Sequence, residues 1–304
     1  VGRQLNYKYG IVGKVFITLN PKKNWVHQYF WKPFKDKTLP VTVKFLQALV
    51  TDNPFIDSGY IDKLRAIKDR IRKERLLNGN FDYDDDENAL MSYDAIENLF
   101  TNSHAERGKR YLTIDVARFG KDESRIYEWD GWLVIRRHVL KKKRTTEVAA
   151  YAKQITEAHK IPMSQVIADE DGVGGGVVDI LKCKGFVNGS KALPNPNNKD
   201  PKNKESENYE NLATQCSYMA ATCVNEGTIG FAPELALDTD FVERFTEEAE
   251  QVKKRDQDSD GKLKVIKKED IKELIGRSPD DWDTFKMRQW FELKPVKTFA
   301  AATY

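Results

Sequence analysis

Cysteine and histidine are scarce in this sequence, with three and four among 304 residues. Cys183, Cys216 and Cys223 cannot form a disulfide framework. With no CxxC pair and no ligand-type histidine spacing, they build no zinc site of the usual form. A reducing compartment is the expectation. Long apolar runs are also missing: the stretch 41–50 is broken by Lys44 and Gln47, well short of the roughly 20 residues a membrane-spanning helix needs. No basic segment followed by an apolar h-region opens the chain, so no secretory signal is read there. The sequence starts at Val1, and its first apolar run is already strand-like, which predicts a piece of a longer protein. A charge excess of one sign is lacking too, because 50 Lys and Arg face 47 Asp and Glu for a formal net of +3. Local clustering therefore carries more meaning than overall charge.

What is present is the patterning of a soluble α/β chain, 40% hydrophobic and 32% charged, long enough for one large domain or two ordinary ones. Alternation at 14–19 predicts a buried strand that stops at Asn20-Pro21. After an aromatic stretch (Trp25, Tyr29, Phe30, Trp31, Phe34), near-helical spacing of Ile61, Leu64, Ile67, Ile71 and Leu76 predicts an amphipathic helix over 60–77. From Tyr111 the pattern becomes regular. Strands are expected at 111–116, 124–129 and 132–140, the last two joined by Asp130-Gly131, a strong hairpin signal. A helix over 145–159, a short strand at 166–168 and a helix over 174–184 follow. The order is three antiparallel strands, helix, strand, helix. A polar loop at 192–207, helices near 209–224 and 240–254, a turn at 256–261, a strand at 262–266 and a last helix from Asp280 or Asp281 to Glu292 complete the reading.

Two basic groups stand out. Arg136, Arg137, Lys141, Lys142, Lys143 and Arg144 occur with no acid among them, and Lys262, Lys264, Lys267, Lys268 and Lys272 form a second set. Both read either as phosphate contacts or as solvated faces. Carboxylates are the sharper signal. Asp115 sits in an apolar strand and Asp169 ends another, where a lone charge is costly unless paired or bound to a metal. Asp280 and Asp283 share one face of the last helix by their i, i+3 spacing. Hard cations such as Mg²⁺ and Mn²⁺ take oxygen ligands of this kind, and two ions about 3.5–4 Å apart can drive phosphodiester hydrolysis. Gly172-Val173-Gly174-Gly175-Gly176 has neither P-loop nor dinucleotide spacing, and reads instead as a sharp turn beside Asp169.

Three segments in one order carry a resemblance: Ile114-Asp115-Val116-Ala117-Arg118-Phe119-Gly120-Lys121-Asp122, then Asp169-Glu170-Asp171-Gly172-Val173-Gly174-Gly175-Gly176-Val177-Val178-Asp179, then Ile275-Gly276-Arg277-Ser278-Pro279-Asp280-Asp281-Trp282-Asp283. Over most of its length the chain resembles the large terminase subunits of tailed bacteriophages, the motors that package and cut viral DNA. The resemblance implies an RNase H-like mixed sheet flanked by helices at 101–304, acting as a metal-dependent endonuclease. Residues 1–100 would be the end of a P-loop-type ATPase domain and its linker, with Thr18-Leu19-Asn20-Pro21 the family's Thr-x-Asn-Pro. It further implies Asp115, Asp169 and Asp283 as catalytic carboxylates, with Asp280 as a further ligand of two Mg²⁺ or Mn²⁺ ions and Asp122 as an accessory acid. Asp281-Trp282 stands where smaller residues are expected between the two acids.

Double-stranded DNA is the expected substrate, contacted by Lys262, Lys264, Lys267, Lys268, Arg136, Lys141 and Lys142. By resemblance, the portal and the small terminase subunit are the expected partners, in the cytoplasm of an infected bacterium, with no membrane and a ring only in the full-length motor. No GxxxxGK[S/T] sequence or acidic Walker B strand occurs, so ATP hydrolysis is not expected. Two other readings keep the fold: a DNA-clamping module inactive in isolation, and an RNase H-like resolvase or transposase.

Overall fold

Contacts between distant residues divide the chain into two compact units, Val1–Asp85 and Asp86–Tyr304. The computed structural model describes residues 14–21, 26–67, 70–82, 86–102, 104–117, 123–194, 208–255 and 261–293. In the first unit the strand predicted at 14–19 does not form. Val15 and Phe16 are 88% and 91% exposed, because alternation becomes a strand only where a neighbour supplies the ladder, and no described residue of this unit is in a strand. The helix predicted over 60–77 is two helices, α1 (Ser58–Arg65) and α2 (Arg70–Leu76). Asp57 caps the first by accepting from the Gly59 N–H. The aromatic stretch makes a small cluster in which Trp31 stacks on Phe81 with centroids 4.9 Å apart. Beside it, hydrogen bonds from Lys35, His27 and Trp31 hold the Asp82 carboxyl down to about 2.

The second unit is organised by period-two alternation. β1 (Arg110–Asp115), β2 (Glu123–Asp130) and β3 (Leu133–Lys141) form the predicted antiparallel meander. Its hairpin turn carries Gly131 at φ 61°, where a Cβ would meet the Glu106 carbonyl oxygen at 2.2 Å, so only glycine fits. β4 (Val166–Asp169) pairs with β1, β5 (Lys184–Phe186) with β4 and β6 (Gly230–Phe231) with β3, all parallel. The sheet order is β5-β4-β1-β2-β3-β6, a mixed α/β sheet of antiparallel then parallel strands, as expected from the sequence.

Helices cover both faces. On one face, Leu112, Ile114, Ile126, Val166 and Ala168 pack with α4 (Thr145–Ala158) and α5 (Gly175–Leu181). On the other, Tyr127, Trp129, Val134 and Phe231 meet α3 (Tyr93–Asn98), α6 (Leu212–Glu226), α7 (Thr239–Glu250) and α9 (Asp280–Lys286). Between α7 and α9 lies α8 (Lys268–Ile275), which ends at Gly276 with φ 75°. The division of the chain falls before residue 100. Met91, Ile96, Leu99 and Phe100 all join the second unit's core, with Phe100 stacked on Phe231 at 5.0 Å.

Candidate metal centre

Two strand ends and one helix start converge on a group of carboxylates. β1 and β4 are parallel neighbours with Ile114 opposite Ala168, and each ends one residue later, in Asp115 and Asp169. The two acids therefore leave adjacent strands at the same end. Alternation sends Leu112 and Ile114 to the α4–α5 face, so Asp115 takes the face against which α9 packs. α9 starts directly after Pro279, and its first turn carries Asp280, Asp281 and Asp283. The predicted capping by Asp280 or Asp281 is not made, since Pro279 is the N-cap and no side chain caps the helix.

The three aspartates of that turn part ways by helical geometry. Asp280 and Asp283 face the strand-end acids, whereas Asp281, one residue round the helix, is fully buried on the other side. It accepts a bidentate pair from Arg137 at 2.7 and 2.9 Å, the Tyr127 hydroxyl at 2.8 Å and Arg125 Nε at 3.3 Å. Burial alone would raise its carboxyl, and Arg137 and Arg125 more than offset that, leaving it below the ordinary aspartate range. Arg137 of the predicted basic run thus points inward as part of a buried ion network.

Electrostatics binds the other four acids together. Burial pushes Asp115 well above the ordinary range; the Lys268 charge opposes this, and the charges of Asp283, Asp280 and Asp169 add to it. Asp169 and Asp280 are raised for the same first reason, desolvation. Asp283 goes the other way: Lys268 Nζ and Lys286 Nζ each stand 2.6 Å from one of its oxygens and hold it below the usual range despite its burial. The two ammonium groups stand in for cationic charge beside a carboxylate cluster. Among the described residues, no three His, Cys, Asp or Glu side chains stand together in a ligating arrangement. The donor set of oxygen atoms only fits a hard divalent cation, with Lys268 and Lys286 on the oxygens of Asp283 that such an ion would use.

The backbone beside Asp169 is shaped for close approach. A Cβ at Gly174 would fall 1.7 Å from the Asp169 carbonyl oxygen, so the glycine-rich segment serves as the sharp turn read in the sequence. A cavity of about 380 Å³ opens beside it, lined by Asp169, Asp171, Asn188, Lys267, Lys268 and Asp283 among others. Asn188, which drew no attention in the sequence, hydrogen-bonds both Asp169 and Asp171. Asp122 lies outside the described residues.

The basic residues separate into several classes. Lys264 is 3% exposed, which corrects its expected role at DNA: β8 (Lys264–Val265) pairs with β7 (Lys254–Arg255) and turns this lysine inward. Lys268 is held on Asp283 rather than on a surface strand. Lys262 and Lys267 are exposed, as is Lys142 at φ 51°. Lys141 keeps 75% of its side chain exposed while pairing with Glu123 at 3.2 Å. Arg136 meets buried Glu128 at 3.3 Å. Glu128 also receives His138 at 2.7 Å and His159 at 2.6 Å, so the two histidines serve a buried charge that sequence spacing could not reveal.

No family model and no curated protein matches the chain. Solved structures do. The nuclease domain of the large terminase subunit gp2 of bacterial virus Sf6 superposes with a TM-score of 0.55 at 17% identity, covering 66% of this chain and 97% of that one. A mutant of that domain solved with manganese and beta-thujaplicinol gives 0.54 at 17% identity, over 66% and 97%. The same mutant, solved with calcium, gives 0.54 at 17% identity, over 66% and 98%. In fold the chain is similar to these large terminase nuclease domains, as the resemblance carried by the three sequence segments implies.

Proposed function

We propose that the chain is the nuclease part of a viral DNA-packaging terminase, a hydrolase that cleaves double-stranded DNA with two Mg²⁺ or Mn²⁺ ions. The observation that carries this reading is the convergence of Asp115 and Asp169, from adjacent parallel strands, with Asp280 and Asp283 from the start of α9. Asp115, Asp169, Asp280 and Asp283 would hold the ions. When bound, such ions lower the pKa of a water nucleophile and neutralise charge developing on the phosphate. The chain's own part is to hold four carboxylates in a desolvated cluster whose mutual repulsion a cation relieves. The related Sf6 domain was solved with manganese and with calcium, in keeping with hard-cation use here.

DNA would approach from the end of the sheet where β1 and β4 finish. Lys141 stands at this end, opposite Glu123 in the β2–β3 register, and Lys142 follows it. Lys262, Lys267 and Arg136 remain proposed contacts, without Lys264. We expect no ATP turnover from these residues, which lack a phosphate-binding loop ending in Gly-Lys-Ser/Thr. The portal and small-subunit partners, a ring confined to the full-length motor, and a place in the host cytoplasm come with this reading. Among the described residues no helix is long and apolar enough to cross a membrane.

The test is nicking of supercoiled plasmid in Mn²⁺ by the chain and by Asp115→Ala and Asp169→Ala. Both variants should lose at least about 100-fold in rate, since nothing adjacent replaces a lost ligand. Parent-rate nicking by either one removes the assigned site. A second reading, a DNA clamp inactive in isolation, draws support from Lys268 and Lys286 on Asp283. Duplex binding without metal-dependent nicking by the parent chain would select it, and a preference for branched over linear duplex would select a resolvase.

A further inference from the structure

Asp169 does not hang freely from the end of β4. Its Oδ1 accepts the Asp171 backbone N–H at 3.1 Å and Asn188 Nδ2 at 3.2 Å. Among the described residues both of these bonds fall on Oδ1. A carboxylate held by one oxygen cannot rotate without breaking two hydrogen bonds, so its second oxygen keeps a fixed direction. Asn188 is itself well anchored. It follows β5 by two residues, its backbone N–H and Nδ2 both donate to Asp171 Oδ2 at 3.0 and 2.9 Å, and its carbonyl accepts from Ala213 N at the start of α6. The side-chain amide thus ties the end of β4 to the turn that follows it, and the backbone of the same residue joins both to the start of α6, at the wall of the cavity.

We infer that Asn188 is a positioning residue for metal binding: it orients Asp169 by donating to Oδ1, so that Oδ2 is presented to a divalent cation. This rests on the nuclease reading above. An asparagine suits the task because its NH₂ carries two donors and no charge. It can serve Asp169 and Asp171 at once without taking a cation's place, as a lysine there would. Partners of ligating carboxylates that are not themselves ligands commonly change metal affinity by roughly 10–100-fold when removed.

The experiment uses the full chain and Mn²⁺ alone as the probe, followed by titration calorimetry, with metal-free thermal melts in parallel. Asn188→Ala removes the amide, and Asn188→Leu keeps its approximate volume without a donor. Weakening of Mn²⁺ binding by about 10-fold or more in Asn188→Leu, with a metal-free melt near the parent's, supports the inference. So does a higher Mn²⁺ concentration for half-maximal nicking, with the saturated rate little changed. An isotherm like the parent's in either folded variant overturns it, as does weakening seen only where the melt has collapsed. Asp115→Asn separates the two readings: if it leaves Mn²⁺ binding intact, or the parent binds none, the proposed metal centre itself is wrong. If Asp115→Asn abolishes binding while Asn188→Leu does not, only the role of Asn188 falls.

Discussion

Single residues set the charge state of this site, and Lys268 is the most consequential of them. Its ammonium sits 2.6 Å from Asp283, a carboxylate of the proposed metal centre. Lys268→Ala should therefore tighten Mn²⁺ binding by a few-fold, read by calorimetry, because a competing positive charge is gone while all four carboxylates remain. Unchanged or weaker binding would make the lysine a partner of the ion rather than its rival. Glu128 offers a residue-scale test of stability. Burial alone would raise its carboxyl, but the hydrogen bond from His138 and the charges of His159, His138 and Arg136 leave it below the ordinary glutamate range. A group held more acidic in the folded state stabilises above its unfolded pKa and loses that contribution as pH falls through the folded one. Glu128→Gln should accordingly flatten the acid limb of a melting-temperature profile and lower stability near neutrality. A parallel acid limb would show that this carboxylate carries no such linkage.

Legibility at this scale followed chemistry. Asp115 and Asp169 could be read because a carboxylate in an apolar strand is anomalous in itself, and Asp283 because it repeats the acid one helical turn after Asp280. Lys264 could not, since alternation in a two-residue strand does not say which face is buried. Asn188 carries no pattern at all. Its importance comes from a loop brought beside Asp169 by the β4–β5 pairing.

Among the elements, α9 is bound on two sides by residues of opposite duty. Asp280 and Asp283 face the site while Asp281 is held by Arg137, Arg125 and Tyr127. Removing one partner of a buried pair leaves the other's charge uncompensated, at a cost of about 3–5 kcal/mol. Asp281→Ala should therefore destabilise by that order in urea melts, whereas Asp115→Asn should stabilise the metal-free chain by relieving repulsion. A neutral Asp281→Ala would mean the arginines find other partners. Elements with a clear period were readable in advance, including the meander, α4, α6 and α7. β5 and β6, three and two residues long, offered no period to read. The run 14–19 had the period but, among the described residues of its unit, no strand to pair with.

For the whole molecule, the compact units divide between residues 85 and 86, whereas the sequence reading ends the ATPase remnant and its linker at residue 100. Met91, Ala95, Ile96, Leu99 and Phe100 are buried in the second unit, and each large one contributes about 1.5–3 kcal/mol by leaving water. Together they amount to a large share of the roughly 5–15 kcal/mol that holds a domain folded. A fragment of residues 86–304 should thus melt cooperatively and bind Mn²⁺ like the full chain, while one of residues 101–304 should be largely unfolded or aggregate. Equal melts for the two fragments would return the boundary to residue 100.

The anchoring of Asp281 has a reach beyond stability. Since one turn of helix joins this core anchor to Asp280 and Asp283, any loosening of the aromatic layer around Phe245, Trp282 and Phe285 is transmitted to two carboxylates. At the proposed metal centre, divalent-ion affinity would then be a gauge of packing quality. A remote cavity such as that left by Phe245→Ala would register as a shifted Mn²⁺ isotherm at temperatures where circular dichroism still records an intact fold.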